Sequence, residues 1–205
     1  GFTSQFNVFP IGEIGTETDW TKALINCDCV IHCAGRAHFM NDSSAAFHNV
    51  YRSNNLDGTK QLANQASQLD VRRLVFLSSI KVDGESTDDR ESPFGYSNER
   101  IIHPPSDFYA LSKWEAEQSL WEISAKTGLE VVVIRLPLVY GPGVKGNLFS
   151  LLKLVHSRIP LPFASVDNKR SFLGVKNLID ALILCIDDPS VVGQTLYLSD
   201  GHDLS

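Results

Sequence analysis

Short β-branched runs alternate along this chain with longer segments that repeat apolar residues at helical spacing. Val30-Ile31-His32-Cys33-Ala34, Arg73-Leu74-Val75-Phe76-Leu77 and residues 130–136 read as strands, with residues 195–198 as a last one. Residues 54–69 carry Leu62, Ala66 and Leu69 at helical spacing, and residues 108–126 form the next helix, with Gly128 placed to stop it. Residues 147–156 and 175–186 also read as helices. Continuous apolar strands are those buried on both faces. The β–α alternation therefore predicts an α/β fold, a doubly wound parallel sheet. At 205 residues and 43% hydrophobic, the chain can bury one sizeable core.

Tyr109 and Lys113 stand four apart at the start of the 108–126 helix, about 30 residues after Ser78-Ser79. Positions i and i+4 share a helix face, so the ammonium is expected beside the phenol. A phenol titrates near 10, and a neighbouring cation lowering it by about three pH units, at roughly 4 kcal/mol, would let it exchange protons at neutral pH. Ser79 ends an apolar strand, where open α/β sheets place their active groups. Together these groups could take a proton from an alcohol while a cofactor takes the hydride.

A net charge of −6 without a basic block argues against a nucleic-acid partner. No apolar run reaches the roughly 18 residues of a membrane span. Cys27, Cys29 and Cys33 lack Cys-x-x-Cys spacing, so no metal site is expected. Buried reduced thiols are expected instead, as suits a cytoplasmic protein. The polar segment 83–107 exceeds ordinary connection lengths, which marks it as functional or mobile, and Asp83 and Glu85 read as loop charges.

Ser79, Tyr109-x-x-x-Lys113, the Ala34-Gly35 turn, Asn55 with Gly58-Thr59, Arg135-Leu136-Pro137 and Tyr140-Gly141-Pro142-Gly143 occur in an order that resembles the extended short-chain dehydrogenases/reductases. The resemblance runs over nearly the whole chain and is narrowest to the NAD-dependent epimerase/dehydratase group, near bacterial UDP-sugar 4-epimerases and 4-keto-reductases. It implies Tyr109 as acid/base, Lys113 tuning it and holding the nicotinamide ribose, and Ser79 orienting the sugar at position 4. Glu13 and Ile14 would hold adenine, Ala34, Gly35 and Arg36 would line the pyrophosphate and ribose edge with Asn55 nearby, and Pro137 would pack by the nicotinamide. Asn147, Leu161, Phe163 and Arg170 would bind the nucleotide-sugar.

The resemblance thus implies a UDP-sugar 4-epimerase using bound NAD. A UDP-4-keto-sugar reductase or a non-catalytic nucleotide-binding member is the alternative, and NADP stays open. Leu138, where many relatives carry asparagine, loosens the inference to one sugar, and no Asp-Glu pair follows a Thr near Ser79 to support dehydration. A homodimer through the 108–126 helix would be in keeping with the family. A Rossmann-like domain is expected over residues 1–141 and 173–198, and the start of a smaller substrate lobe over residues 142–172. The family's Gly-x-x-Gly-x-x-Gly turn does not occur in these residues, so the chain is expected to be an internal fragment without the first βαβ unit, inactive by itself.

Overall fold

The computed structural model describes residues 7–37, 49–84, 104–144, 146–157 and 169–204. Strands β1 (Cys29–His32), β2 (Arg73–Ser79), β3 (Glu130–Leu136) and β6 (Thr195–Tyr197) form one sheet in the order β1-β2-β3-β6. Every pairing is parallel, with Arg73 opposite Glu130 and Ser79 opposite Leu136. Among the described residues β1 has a strand on one side only, and no strand precedes it.

Side chains alternate across the two central strands, and both faces are covered. Leu74, Phe76, Val131 and Val133 pack with Leu62, Ala66, Ala116 and Leu120 from helices α2 (Gly58–Gln68) and α3 (Phe108–Thr127). Val75, Val132 and Ile134 pack on the other face with Leu178, Leu182 and Cys185 of helix α5 (Val175–Asp187). This is the doubly wound arrangement that unbroken apolar strands require. A short helix, α1 (Thr21–Leu24), adds Leu24 to the first cluster.

Local chemistry sets the helix ends. Asp107 caps α3, its Oδ1 accepting from the Ala110 amide at 2.8 Å, and Gly128 closes the helix with φ +80°. Helix α2 does not start where the apolar spacing suggests. It continues from a π-helical turn, Arg52–Asp57, which aims Asn55 inward. Arg73 is buried at the start of β2, bonding Glu130 Oε2 at 2.7 Å and the carbonyls of Cys185, Ile186 and Asp188 at 2.7–2.9 Å. A guanidinium there satisfies the free carbonyls at the C-terminus of α5 and complements its dipole.

A second sheet, absent from the expectations, begins at once after Pro137. Strand β4 (Leu138–Tyr140) runs parallel to β5 (Arg170–Gly174), which pairs antiparallel with β7 (Asp203–Leu204). Asp200 ties it to α5 by accepting from Tyr140 Oη at 2.8 Å, Asn177 Nδ2 at 2.7 Å and the Gly174 amide. Helix α4 (Gly146–His156) agrees with its expected range within one residue.

The cysteines depart from expectation: all four are free, but Cys185 alone is buried, Cys27 and Cys29 are half-buried, and Cys33 is exposed. The reason is position, since Cys33 follows the last residue of a strand that is paired on one side only among the described residues.

His32 lies under α2, its Nε2 2.9 Å from Thr59 Oγ1 and its ring stacked on Phe76. Burial draws its pKa down to about 4, and Lys113 adds to the effect. The folded state therefore refuses a proton that the unfolded chain accepts below about 6.5. Stability supplied above pH 6.5 is lost as pH falls toward 4, by about 3 kcal/mol. Urea titrations of wild type and His32→Gln should show their stability difference shrinking by that amount between pH 7 and pH 4. A constant difference would rule out a neutral buried imidazole.

Candidate active site

The carboxyl ends of β1 and β2 and the first turns of α3 meet at one place. Ser79 closes β2, Tyr109 stands in the first turn of α3, and Lys113 lies one turn further on the same face. The Ser79 hydroxyl lies near enough to the Tyr109 phenol to influence its protonation. Tyr51 meets the Tyr109 ring edge-on, with centroids 6.1 Å apart. The Lys113 ammonium donates to the Leu77 carbonyl at 2.9 Å and lies 4.5 Å from the centre of the Phe76 ring.

The electrostatics correct the sequence-based expectation for the phenol. Burial pushes Tyr109 above its usual value, the Ser79 hydroxyl beside it works against that rise, and Asp107 and Tyr51 add to it. Lys113 is aimed at Leu77, and burial draws it down to about 8. The i,i+4 spacing brings the two side chains to one face, but the ammonium is committed to a strand carbonyl rather than to the phenol.

Asn55 is held entirely within the chain. Its Oδ1 accepts from the Arg36 amide at 2.8 Å, while Nδ2 donates to the Arg36 carbonyl at 3.1 Å and to Ser112 Oγ at 2.9 Å. Both amide hydrogens are used and the residue is 1% exposed. Asn55 thus clamps the loop after β1 to the helix that carries Tyr109 and Lys113. The π-helical turn is the local distortion that points it there, a feature frequent at functional sites.

Gly35 is the close approach in this clamp: a Cβ there would lie 2.9 Å from Lys113 Nζ and 3.4 Å from Asn55 Oδ1. Beside it, Gly12, Glu13, Ile14, Gly35, Arg36 and Asn54 line a recess of about 310 Å³. The turn at Ile14 can pack close against α2 because Gly58 has no Cβ, which would collide with Ile14 Cγ2. Ala34 is half-buried before Gly35, and Pro137 is buried at the end of β3.

The structure thus draws Ser79, Tyr109, Lys113, Gly35 and Asn55 together and sets Glu13, Ile14 and Arg36 around an adjoining recess. Asn147 stands in the first turn of α4, and Arg170 opens β5 with its side chain exposed. Leu161, Phe163 and Glu85 lie outside the described residues. Among the described residues no group of three or more His, Cys, Asp and Glu side chains is arranged to hold a metal ion. None of their helices is long and apolar enough to cross a membrane.

Sequence reasoning missed the polar network beneath the site. Arg135 grips Glu117 with two hydrogen bonds, Nε to Oε1 at 3.1 Å and Nη2 to Oε2 at 2.6 Å. Its Nη1 reaches Asp83 Oδ1 at 2.7 Å and Tyr197 Oη at 2.8 Å. Ser78, next to Ser79, donates to Glu117. Asp83 is therefore a buried ion-pair partner, its side chain 4% exposed, rather than a loop charge. One signal was available, since Glu117 follows Lys113 at i+4.

The family model described as the NAD dependent epimerase/dehydratase family matches residues 7–197. The chain belongs to the NAD-dependent epimerase/dehydratase family. Within it, the chain is 46% identical over 199 residues to a UDP-glucose 4-epimerase of Vibrio cholerae, covering 97% of this chain and 60% of that protein. It is 27% identical over 172 residues to the N-acetyl-α-D-glucosaminyl-diphospho-ditrans,octacis-undecaprenol 4-epimerase of Escherichia coli O157:H7, covering 83% of this chain and 49% of that protein. A UDP-glucuronic acid 4-epimerase from Bacillus cereus, solved with UDP-glucuronic acid and NAD, has a TM-score of 0.77 over 92% of this chain and 59% of that one, at 22% identity. This likeness places the epimerase/dehydratase-family chain in the Rossmann-like α/β fold. The chain spans about 60% of the length of the Vibrio cholerae relative.

Proposed function

We propose that the full-length protein is a UDP-sugar 4-epimerase that works with bound NAD. The observation that carries this reading is the convergence of Ser79 at the end of β2 with Tyr109 in the first turn of α3 and Lys113 one turn along the helix, at the carboxyl edge of the parallel sheet. The 46% identity to the Vibrio cholerae UDP-glucose 4-epimerase supports the substrate class. Fit to the cofactor is supported by the glycine-lined approach at Gly35, where a side chain would press on Lys113, and by the adjoining recess. Bound NAD would supply the hydride acceptor and donor for carbon 4 of the sugar.

In this reading Ser79 orients the 4-hydroxyl, Tyr109 takes its proton as the alcohol becomes a ketone, and Tyr109 returns the proton on reduction from the other face. Lys113 holds the ribose from its seat on the Leu77 carbonyl. Glu13 and Ile14 receive the adenine, with Ala34, Gly35 and Arg36 along the ribose and pyrophosphate edge and Pro137 beside the nicotinamide. Asn55 acts through the Arg36 loop. Asn147, Leu161, Phe163 and Arg170 bind the nucleotide-sugar, from a substrate lobe starting within residues 142–172. Residues 1–141 and 173–198 belong to the dinucleotide domain. A cytoplasmic homodimer completes the reading.

Incubating the full-length protein with NAD and UDP-galactose or UDP-N-acetylgalactosamine, and separately with NADH and the matching 4-keto sugars, tests it. Interconversion of the 4-epimers without net NADH change is expected. Stoichiometric consumption of NADH with a 4-keto sugar, and no epimerisation, would replace it with the reductase. Turnover of none of these sugars would overturn it.

A further inference from the structure

Ser79 stands between two buried polar residues that lead back to one arginine. On one side Ser78, 4% exposed, donates from Oγ to Glu117 of α3. On the other, the 3₁₀ turn Ile80–Asp83 ends in Asp83, whose Oδ1 accepts from Arg135 Nη1 at 2.7 Å and from Tyr197 Oη at 3.1 Å. Arg135 of β3 also donates to both carboxylate oxygens of Glu117. We propose that Ser78 and Asp83 are positioning residues, which through Glu117 and Arg135 hold the Ser79 turn in register with the helix that carries Tyr109. The effect on turnover rests on the epimerase reading, while the contacts belong to the protein without ligands.

Other contacts hold the parts without fixing their register. Backbone pairing with β3 extends to Ser79, opposite Leu136, and so sets the strand but not its distance from the helix. Ser79 Oγ accepts from the Lys81 amide at 3.3 Å, a bond internal to the turn. Ala116 and Leu120 seat α3 on the sheet by apolar contact, which has no preferred direction. Directional ties come from one face of α3. Lys113 donates to the Leu77 carbonyl at 2.9 Å, and one helical turn later Glu117 accepts from Ser78. Arg135 then carries the tie from Glu117 to Asp83, at the far end of the Ser79 turn.

The burial of this network argues for a geometric role. The side chains of Glu117, Asp83 and Arg135 are 1%, 4% and 8% exposed. Burying such charges is costly, and well-packed apolar groups of similar volume serve stability as well or better. What the ions supply instead is a fixed arrangement, since a guanidinium meets a carboxylate through two parallel bonds in one plane. Residues of β2, α3, β3 and β6 meet in it, directly under the edge where Ser79 and Tyr109 converge. A displacement of about 1 Å between reacting groups can cost on the order of 10²-fold in rate.

Ser78→Ala and Asp83→Ala each remove one end of the network and leave Ser79, Tyr109 and Lys113 in place. In the full-length protein, free of sugar and cofactor, amide hydrogen exchange is read by mass spectrometry. Exchange should quicken at least about tenfold over residues 78–84 and 108–117 in both variants, the effect of losing one bond to a charged group, and stay unchanged in α5. With NAD and UDP-galactose or UDP-N-acetylgalactosamine, kcat should fall about 10–100-fold while KM stays within about threefold. Leu182→Ala, in the core on the opposite face of the sheet, loses stability by leaving a cavity and should keep kcat within about twofold. Exchange that is unchanged in the two segments, or that rises evenly along the chain, would overturn the proposal whether or not any sugar is turned over. So would a kcat for Ser78→Ala within about twofold of wild type, or equal losses in Ser78→Ala and Leu182→Ala. If the wild type epimerises neither sugar, the functional reading fails and the exchange pattern alone decides the role of the network.

Discussion

Tyr109→Phe in the full-length protein is expected to lower turnover of UDP-sugar by about 10²–10⁴-fold, the range for losing a positioned acid/base. The substitution removes one oxygen from a half-buried ring that keeps its edge contact with Tyr51. Ser79 still accepts from the Lys81 amide at 3.3 Å. Stability should therefore change by no more than about 1 kcal/mol, the net worth of a single hydrogen bond. Epimerisation rates and a urea titration, made on the same preparation, check both halves. Turnover within a factor of a few of wild type would remove Tyr109 from the chemistry. A large stability loss would instead make it a packing residue.

Arg135→Met is expected to cost about 3–5 kcal/mol of unfolding free energy, because it strands buried carboxylates that the guanidinium now serves. The side chains of Glu117 and Asp83 are 1% and 4% exposed, so water cannot replace the lost partner without opening the fold. Adding Glu117→Met should recover part of the loss, since well-packed apolar groups can replace a buried pair more cheaply than one unpaired charge can be carried. Chemical denaturation of the single and double variants gives the comparison. If the single variant lost less than about 1 kcal/mol, the network would count as a surface ion pair does.

Much of this molecule follows from short-range pattern. Strand β3 occupies the residues that its apolar run marks, and α3 ends in a left-handed turn at Gly128, a conformation glycine takes without steric cost. The alternation of strand and helix implied a parallel sheet, and the pairings are parallel throughout its four strands. Tyr109 and Lys113 could be named together because i,i+4 spacing is itself a local geometry. Strands β4, β5 and β7 left no comparable trace, being two to five residues long and too short for a period to show.

What tertiary structure alone decided is where the charges went. Arg135 finds partners 18, 52 and 62 residues away, and Ser78 finds Glu117 at a separation of 39. Asn55 meets Ser112 across 57 residues and clamps the loop after β1 to the catalytic helix. The alternating pattern of apolar and polar residues settled the sheet, its helices and the face on which Tyr109 and Lys113 lie, because those depend on backbone period. The ammonium's partner and the phenol's direction of shift depend on burial and on which carbonyl or carboxylate folding brings near. Those are properties of neighbours in space, and the chain meets them only once the sheet has closed against its helices.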